Sequence, residues 1–459
     1  MDMDACEPNP AGLEKCTAPL SVSRRNSIAG RFLAHISRET SSGRFIPEMD
    51  GLRFAAIGMV ILFHLNGYLT AKSPLYSAAP PHSDWLAQAA LVGFRGVELF
   101  FVISGFILGL PFAAHYLKGS APVNLRKYYL RRLTRLEPPY IVALLLLFIL
   151  AAGIGGAPPA SFYPHLAASL FYLHSLIYGT FSPAMGVAWS LEIEVQFYVL
   201  VPLLTLLFTI RSRKLRRSSI AILILAALSG QALFMHHTPR ASLSILAYVQ
   251  FFLVGFLLAD VFLASWGEVP RRNLAWDFVA LAGWPLLFVI LHSPVLAHWL
   301  FPAWILLLYV AAFRGRLVNR FFSNRWIIAI GGMCYSIYLL HYEVISAVGR
   351  LTRRLGETAP YWVYLSVQLV LVGAAIVVIC GAYFVAIEKP CMRRNWPQQL
   401  WGSGQRLVFA KFRLAPTSTT EFICIACIIV CVIPHSVPQS VSWSSKVQSF
   451  KGRPFVIKG

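Results

Sequence analysis

Runs of about twenty mostly apolar residues recur from near residue 52 to residue 387, and few folds can accommodate them. A helix needs about 20 such residues to cross the hydrocarbon core of a bilayer. In lipid each backbone polar group must also find its partner within the segment or in a closed barrel. Ten segments qualify as helices: about 52–70, 91–112, 136–153, 188–209, 219–235, 243–264, 274–292, 297–313, 327–347 and 361–386. An eleventh, about 422–433, is short enough to lie in the interface instead. The run from Leu166 to Tyr178 is also too short, and reads as a half-helix or surface helix within a long loop. Only 13% of residues are charged, against about 25% in an average soluble chain. The expected fold is all-α, a polytopic transmembrane bundle of about ten helices with a short eleventh.

The bundle is expected over residues 45–395. A polar, Ser- and Arg-containing tail (1–44) precedes it, without the apolar core of a signal peptide. A C-terminal segment (396–459) carries the short eleventh helix. A net charge of +21 would suggest nucleic acid in a soluble protein. In a membrane protein, basic loops that set topology against anionic lipid explain it more simply, so lipid rather than nucleic acid is the expected partner. With the N-terminus placed in the cytoplasm, the basic connections Arg126–Arg135, Arg211–Arg217, Arg271-Arg272, Arg314–Arg325 and Lys389–Arg394 all fall inside. That orientation suits a multi-pass membrane protein with its N-terminus in the cytoplasm. The exception is Arg350, Arg353 and Arg354, which this threading leaves outside. The eight cysteines form no disulfide framework. Cys424, Cys427 and Cys431 sit at helical spacing in an apolar run, as a membrane or interfacial helix would place them, so no metal is expected.

Ionisable residues inside membrane helices are costly and by default mark function. The first apolar segment, M-D-G-L-R-F-A-A-I-G-M-V-I-L-F-H, carries Arg53 at its start and His64 deep inside. Eleven residues of helix bring them to nearly the same face, ~16 Å apart. Threading the other segments places Glu98, Glu192, Glu194, His341 and Glu343 near the level of His64. At the opposite level lie Arg53, the Arg126–Arg135 stretch and Glu388-Lys389-Pro390. The result is a cationic inner mouth and a His/Glu level nearer the outside. Arginines bind phosphate in bidentate fashion, and a buried histidine beside a carboxylate suits a general base. No phosphate-binding Walker loop, His-x-x-x-His pair or G-x-S-x-G elbow is present.

Six motifs in order resemble the acyltransferase-3 family of bacterial integral-membrane acyltransferases. They are R-x10-H at the head of the first helix, G-V-E-L-F-F-V-I-S-G-F in the second, R-R-L-T-R-L-E-P-P-Y entering the third, W-S-L-E-I-E-V-Q-F-Y entering the fourth, Y-S-I-Y-L-L-H in the ninth and E-K-P after the tenth. The resemblance covers residues 46–395. It implies an acyl-CoA donor, with acetyl the expected group, reached from the cytoplasm, and a hydroxyl acceptor on a carbohydrate or glycolipid. By position the family's essential pair is Arg53 and His64. Its basic element is Arg131, Arg132 and Arg135, and Glu98 stands where many members have aspartate. About 60 residues follow the matched region, too few for the extracellular esterase domain that some members carry, so transfer is expected within the membrane domain or with a separate partner.

The mechanism this suggests assigns Arg131, Arg132 and Arg135, with Arg53, to the donor phosphates. His64 then deprotonates the acceptor hydroxyl or carries the acyl group transiently. Glu98, in preference to Glu194, would orient its imidazole, and Glu194 and His341 would contact substrate. No cofactor beyond the acyl-CoA substrate is expected. Simpler readings stand beside these. Glu98 can pair with Arg95 one turn away. Glu192 and Glu194 point to different helix faces, so at most one lines a cavity, and His174 has only a weak claim on an acceptor groove. The alternative function is a transporter or flippase for a glycan or lipid-linked substrate, against which no internal repeat is visible.

Overall fold

The computed structural model describes Leu33 and residues 36–38, 45–79, 81, 83–155, 160–234 and 238–393. Most of the N-terminal tail, the segment 396–459 and the short helix expected at 422–433 lie outside the described residues. Among the described residues the chain is all helical and contains no strand. The main helices are α1 (Pro47–Lys72), α2 (Gly96–Lys118), α3 (Leu125–Gly155), α4 (Trp189–Leu204), α5 (Arg213–Phe234), α6 (Val249–Asp260), α7 (Ala275–His292), α8 (Pro294–Arg314), α9 (Arg325–Gly332), α10 (Cys334–Thr352) and α11 (Tyr361–Tyr383).

Helices occupy all ten expected segments, but the count of ten crossings is not reached. Among the described residues six are long and apolar enough to cross a membrane: Pro47–Lys72, Trp85–Lys118, Leu125–Leu150, Gly186–Thr209, Val295–Arg314 and Tyr361–Cys391. The pair α9 and α10, bent by 72° at Met333, makes a seventh if counted as one broken span. The shortfall has local causes. Helix α5 opens on Arg213, Lys214, Arg216 and Arg217, which shortens its apolar part. Val249–Ser265 and Ala275–Leu287 are apolar but short. The loop run expected near Leu166 is two short helices, Phe162–Leu170 and His174–Tyr178. Exposed apolar side chains such as Ile149, Val199, Phe278 and Val370 cover the outside of the bundle, as hydrocarbon requires. The protein is a multi-pass membrane protein.

Close helix crossings organise the centre. At the crossing of α2 and α6, a Cβ on Gly105 would overlap the Phe252 carbonyl oxygen, and one on Gly255 would overlap that of Val102. Without hydrophobic drive between helices in lipid, such backbone-to-backbone packing of small residues is a main source of association. Phe197 and Phe252 stack beside it at 3.8 Å between ring centroids. The same device seats α9 on α1, where Gly331 lies against the Asp50 carbonyl. Helix α2 ends where Gly119 turns left-handed at φ 68°.

The Arg350–Arg354 cluster, which the topology left without a reason, has a structural one. Arg353 Nη1 donates to the Lys72 carbonyl at 3.0 Å, capping the C-terminal end of α1 with a cation. Glu357 in the same loop accepts from the Ser73 hydroxyl and from Leu75 N at 2.7 Å. These bonds tie the α10–α11 loop to the end of α1.

Candidate active site

Arg53 sits in the second turn of α1, three residues after Asp50, so both side chains share a helix face. Asp50 is 2% exposed and is ion-paired with Arg53 and with Arg38, whose Nη1 lies at 3.0 Å. Arg38 belongs to the stretch expected to be a free tail. The described residues there are anchored, since Leu33 and Ile36 are buried against Ala329. The carboxylate holds two guanidinium groups side by side at the base of α1.

Above them lies a cavity of about 120 Å³ whose charged lining is Arg38, Arg53, Arg132, Arg135, Glu194 and Glu388. Four guanidinium groups thus face two carboxylates. Both carboxylates have local partners. Glu194 accepts from the Ser104 hydroxyl at 2.5 Å, and Glu388 accepts from Ser336 N at 3.0 Å and Ser336 Oγ at 2.5 Å. By contrast, Nε of Arg132 and Nε of Arg135 are buried without a hydrogen-bond partner. An orphaned buried donor is costly, and these two groups remain free to take an acceptor. Arg131, one residue away, is exposed and lines no cavity. The geometry therefore brings together Arg53, Arg132, Arg135 and Glu194, and leaves Arg131 outside.

His64 lies three turns along α1 and faces α10. Its ring centroid is 5.1 Å from that of His341 and 5.4 Å from that of Tyr342. His341 is fully buried, and its Nδ1 lies 2.8 Å from the Tyr338 carbonyl and 3.1 Å from that of Ile337. A carbonyl only accepts, so Nδ1 carries the proton and Nε2 of the neutral ring is left as an acceptor. That Nε2 has no partner, and neither does the buried Nδ1 of His64. Two imidazoles with complementary vacancies thus stand next to each other. Tyr338 links the two ends of the site. It lines the cationic cavity, its ring centroid is 5.8 Å from that of His341, and its hydroxyl bonds Ser190 at 2.6 Å and the Val187 carbonyl at 2.9 Å.

Glu98 forms an ion pair with Arg95 at 2.6 Å, over one helical turn. The group that flanks His64 in the structure is a second histidine. Glu192 and Glu194 do face different ways: Glu194 lines the cavity, while buried Glu192 accepts from Ser175 N at 2.7 Å, at the short helix His174–Tyr178 that forms a cap over this part of the bundle. His174 also lies in that cap, with its Nε2 2.9 Å from His165 Nδ1. Burial, then the charge of His165, holds its imidazole below the ordinary histidine range. Among the described residues no group of three or more His, Cys, Asp or Glu side chains could hold a metal ion. Sequence reasoning did not single out Arg38, Asp50 or Tyr338, and it read Ser104 as bonding a carbonyl of its own helix, whereas its hydroxyl donates to Glu194. Of these only Asp50, an acid one turn before Arg53 in an apolar helix, had a visible signal.

A membrane bundle with an arginine-lined cavity beside the start of α1 and, three turns further along, an imidazole facing a second one across to α10 has the layout of a two-ended transferase. The comparison with known families agrees, since the model described as an acyltransferase domain matches residues 46–386. The chain belongs to the acyltransferase-3 family. Its similar proteins include one from Staphylococcus aureus strain COL, provisionally named an O-acetyltransferase. That relative is 26% identical over 429 residues, covering 85% of this chain and 62% of the relative. The O-acetyltransferase OatA of S. aureus strain MRSA252 is 24% identical over 432 residues, covering 86% and 62%. The chain thus spans less than two thirds of the length of these relatives. No solved structure matches it.

Proposed function

We propose that the protein transfers an acyl group, with acetyl the first candidate, from acyl-CoA to a hydroxyl of a carbohydrate or glycolipid acceptor. The observation that carries this reading is the two sets of unmatched groups that stand beside opposite ends of α1's working face. Donors without an anion stand at the arginine end, and imidazole nitrogens without partners stand at the other. Family membership and the names of the relatives supply the reaction class. In this reading Arg132 and Arg135 hold donor phosphates, and Asp50 keeps Arg53 and Arg38 beside them. The donor's arm then covers the ~16 Å from Arg53 to His64.

His64 is the base. If its Nδ1–H turns to the vacant Nε2 of His341, its Nε2 is the free basic nitrogen. That nitrogen takes the proton of the acceptor hydroxyl as the oxygen attacks the thioester carbonyl. The C–S bond breaks, and the imidazolium returns the proton to the leaving thiolate. His341, its own tautomer set by backbone carbonyls, orients His64, the role the sequence assigned to Glu98. The proposed setting is the bacterial inner membrane with the N-terminus in the cytoplasm.

The test is transfer of labelled acetyl from acetyl-CoA to a hydroxyl acceptor by the full chain in membranes. Removing a general base costs about 10²–10⁴-fold, so His64→Ala should lose at least the lower figure. Arg132→Ala should weaken donor use instead. Unchanged transfer in folded His64→Ala would end this mechanism. Glycan translocation that survives both changes, with no acetyl moved, would favour a transporter.

A further inference from the structure

The cationic cavity stops short of the imidazole pair. Its lining includes Val97 and Phe100 of α2, Ser190 of α4 and Tyr338 of α10, but neither His64 nor His341. Tyr338 is buried and stands one helical turn before His341. Its ring faces both compartments: it lines the cavity, and its centroid lies 5.8 Å from that of His341. The Phe100 ring meets it edge to face at 6.2 Å. The chain of neighbouring rings from the cavity to His64 runs through Tyr338 and then His341, so a group leaving the cavity in that direction meets the Tyr338 ring first.

The ring is held by its hydroxyl. A phenol has one proton to give. Tyr338 gives it to the Val187 carbonyl at 2.9 Å, so the Ser190 hydroxyl, 2.6 Å away, donates to the phenol oxygen. Val187 and Ser190 are buried as well. Val187 lies in the short turn Gly186–Ala188 and Ser190 in the first turn of α4. Both belong to the chain that enters α4 from the cap, and Glu192, two residues on, is bonded to Ser175 of that cap. A buried tyrosine needs one partner for its hydroxyl. This one has two, both off its own helix, at the boundary between the cavity and the imidazoles.

We infer that Tyr338 is a positioning residue, a gate between the cavity and the imidazole pair whose latch is the Ser190 hydroxyl and the Val187 carbonyl. Latched, it keeps a thioester in the cavity away from His64; unlatched, it lets the thioester carbon through. Closure of this kind guards a reactive acyl group against water until the acceptor is in place. What passes the gate rests on the proposed reaction; the gate itself rests on these contacts.

The test reads access to His341 in purified full-length protein. Diethyl pyrocarbonate, a small neutral electrophile, carbethoxylates a free imidazole nitrogen, and peptide mass spectrometry gives the rate at each histidine. His341 is fully buried, so its rate in the wild type should be low. Tyr338→Phe keeps the ring and removes both latch bonds, which should raise the rate at His341 by about 2- to 10-fold per bond. Ser190→Ala removes one bond and should give a smaller rise, while Ser190→Thr keeps the hydroxyl and should restore the low rate. His174, buried in the cap, should react at one rate in every variant, which separates an open gate from a loosened bundle. An unchanged rate at His341 in Tyr338→Phe, or a rise matched at His174, would overturn the gate. Acyl transfer is not the readout: a protein that opens in this way yet moves no acetyl would end the proposed reaction and leave the gate standing.

Discussion

Replacing His341 by phenylalanine isolates the contribution of the second imidazole. The ring keeps its packing against Tyr338 and His64, whose centroids lie 5.8 and 5.1 Å away. What disappears is the Nε2 acceptor and the Nδ1 donor. The carbonyls of Ile337 and Tyr338 lie in the middle of α10 and still accept helical N–H groups, so their loss is small. The loss that counts falls on His64, which becomes cationic as it takes the proton. A hydrogen bond to a charged group is worth about 1.5–3 kcal/mol, and each 1.36 kcal/mol is tenfold in rate. His341→Phe should therefore lower kcat by about 10- to 160-fold. That is a smaller loss than the upper range for His64→Ala, and the KM for acetyl-CoA should stay unchanged because His341 lines neither cavity. Initial rates of acetyl transfer across donor concentrations separate the two parameters. A kcat within twofold of wild type, or a loss expressed in donor KM, would refute the positioning role.

Three further outcomes follow from the packing and the loop chemistry. Asp50→Asn strips the carboxylate from two nearly buried guanidinium groups; breaking a buried pair costs about 3–5 kcal/mol, seen as a lower Tm in detergent, and Asp50→Glu should recover part of it. Gly255→Val drives a side chain into the Val102 carbonyl and should destabilise by at least about 1–3 kcal/mol, measured the same way. Glu357 is held below the ordinary carboxylate range first by the Ser73 hydroxyl and then by Leu75 N–H. Its contribution is thus present above the unfolded value of about 4.3 and is lost as pH falls through the lower folded value. Proteolysis of the 353–360 loop should rise on acidification through that window, and Glu357→Gln should flatten the dependence.

Much of this was legible in the order of residues. Apolar length fixes helix positions because a membrane helix must satisfy its own backbone, and all ten segments are helical. Crossing number was less legible, because the 72° break at Met333 and the charged opening of α5 depend on neighbours. The cationic end was readable from Arg53, Arg132 and Arg135, since charges in apolar helices have few places to go. Arg131 shows the limit: the spacing of R-R-x-x-R names three residues, but helix rotation turns one of them outward. The His64–His341 pairing was hidden for a related reason. Depth along an axis can be counted from sequence, and rotation towards a neighbour 277 positions away cannot. Arg38 was invisible because its partner Asp50 lies 12 positions away, beyond the reach of a local spacing rule.

The corner at Met333 has one more effect. Gly331, just before it, abuts the Asp50 carbonyl, while Ser336 and His341, just after it, reach Glu388 and His64. One stiff elbow therefore braces both ends of α1's working face, and α1 between them is unbroken helix. The span from arginine to imidazole behaves as a caliper locked at one opening. In the proposed mechanism, a thioester on a shorter stem fills one jaw or the other but does not close on both.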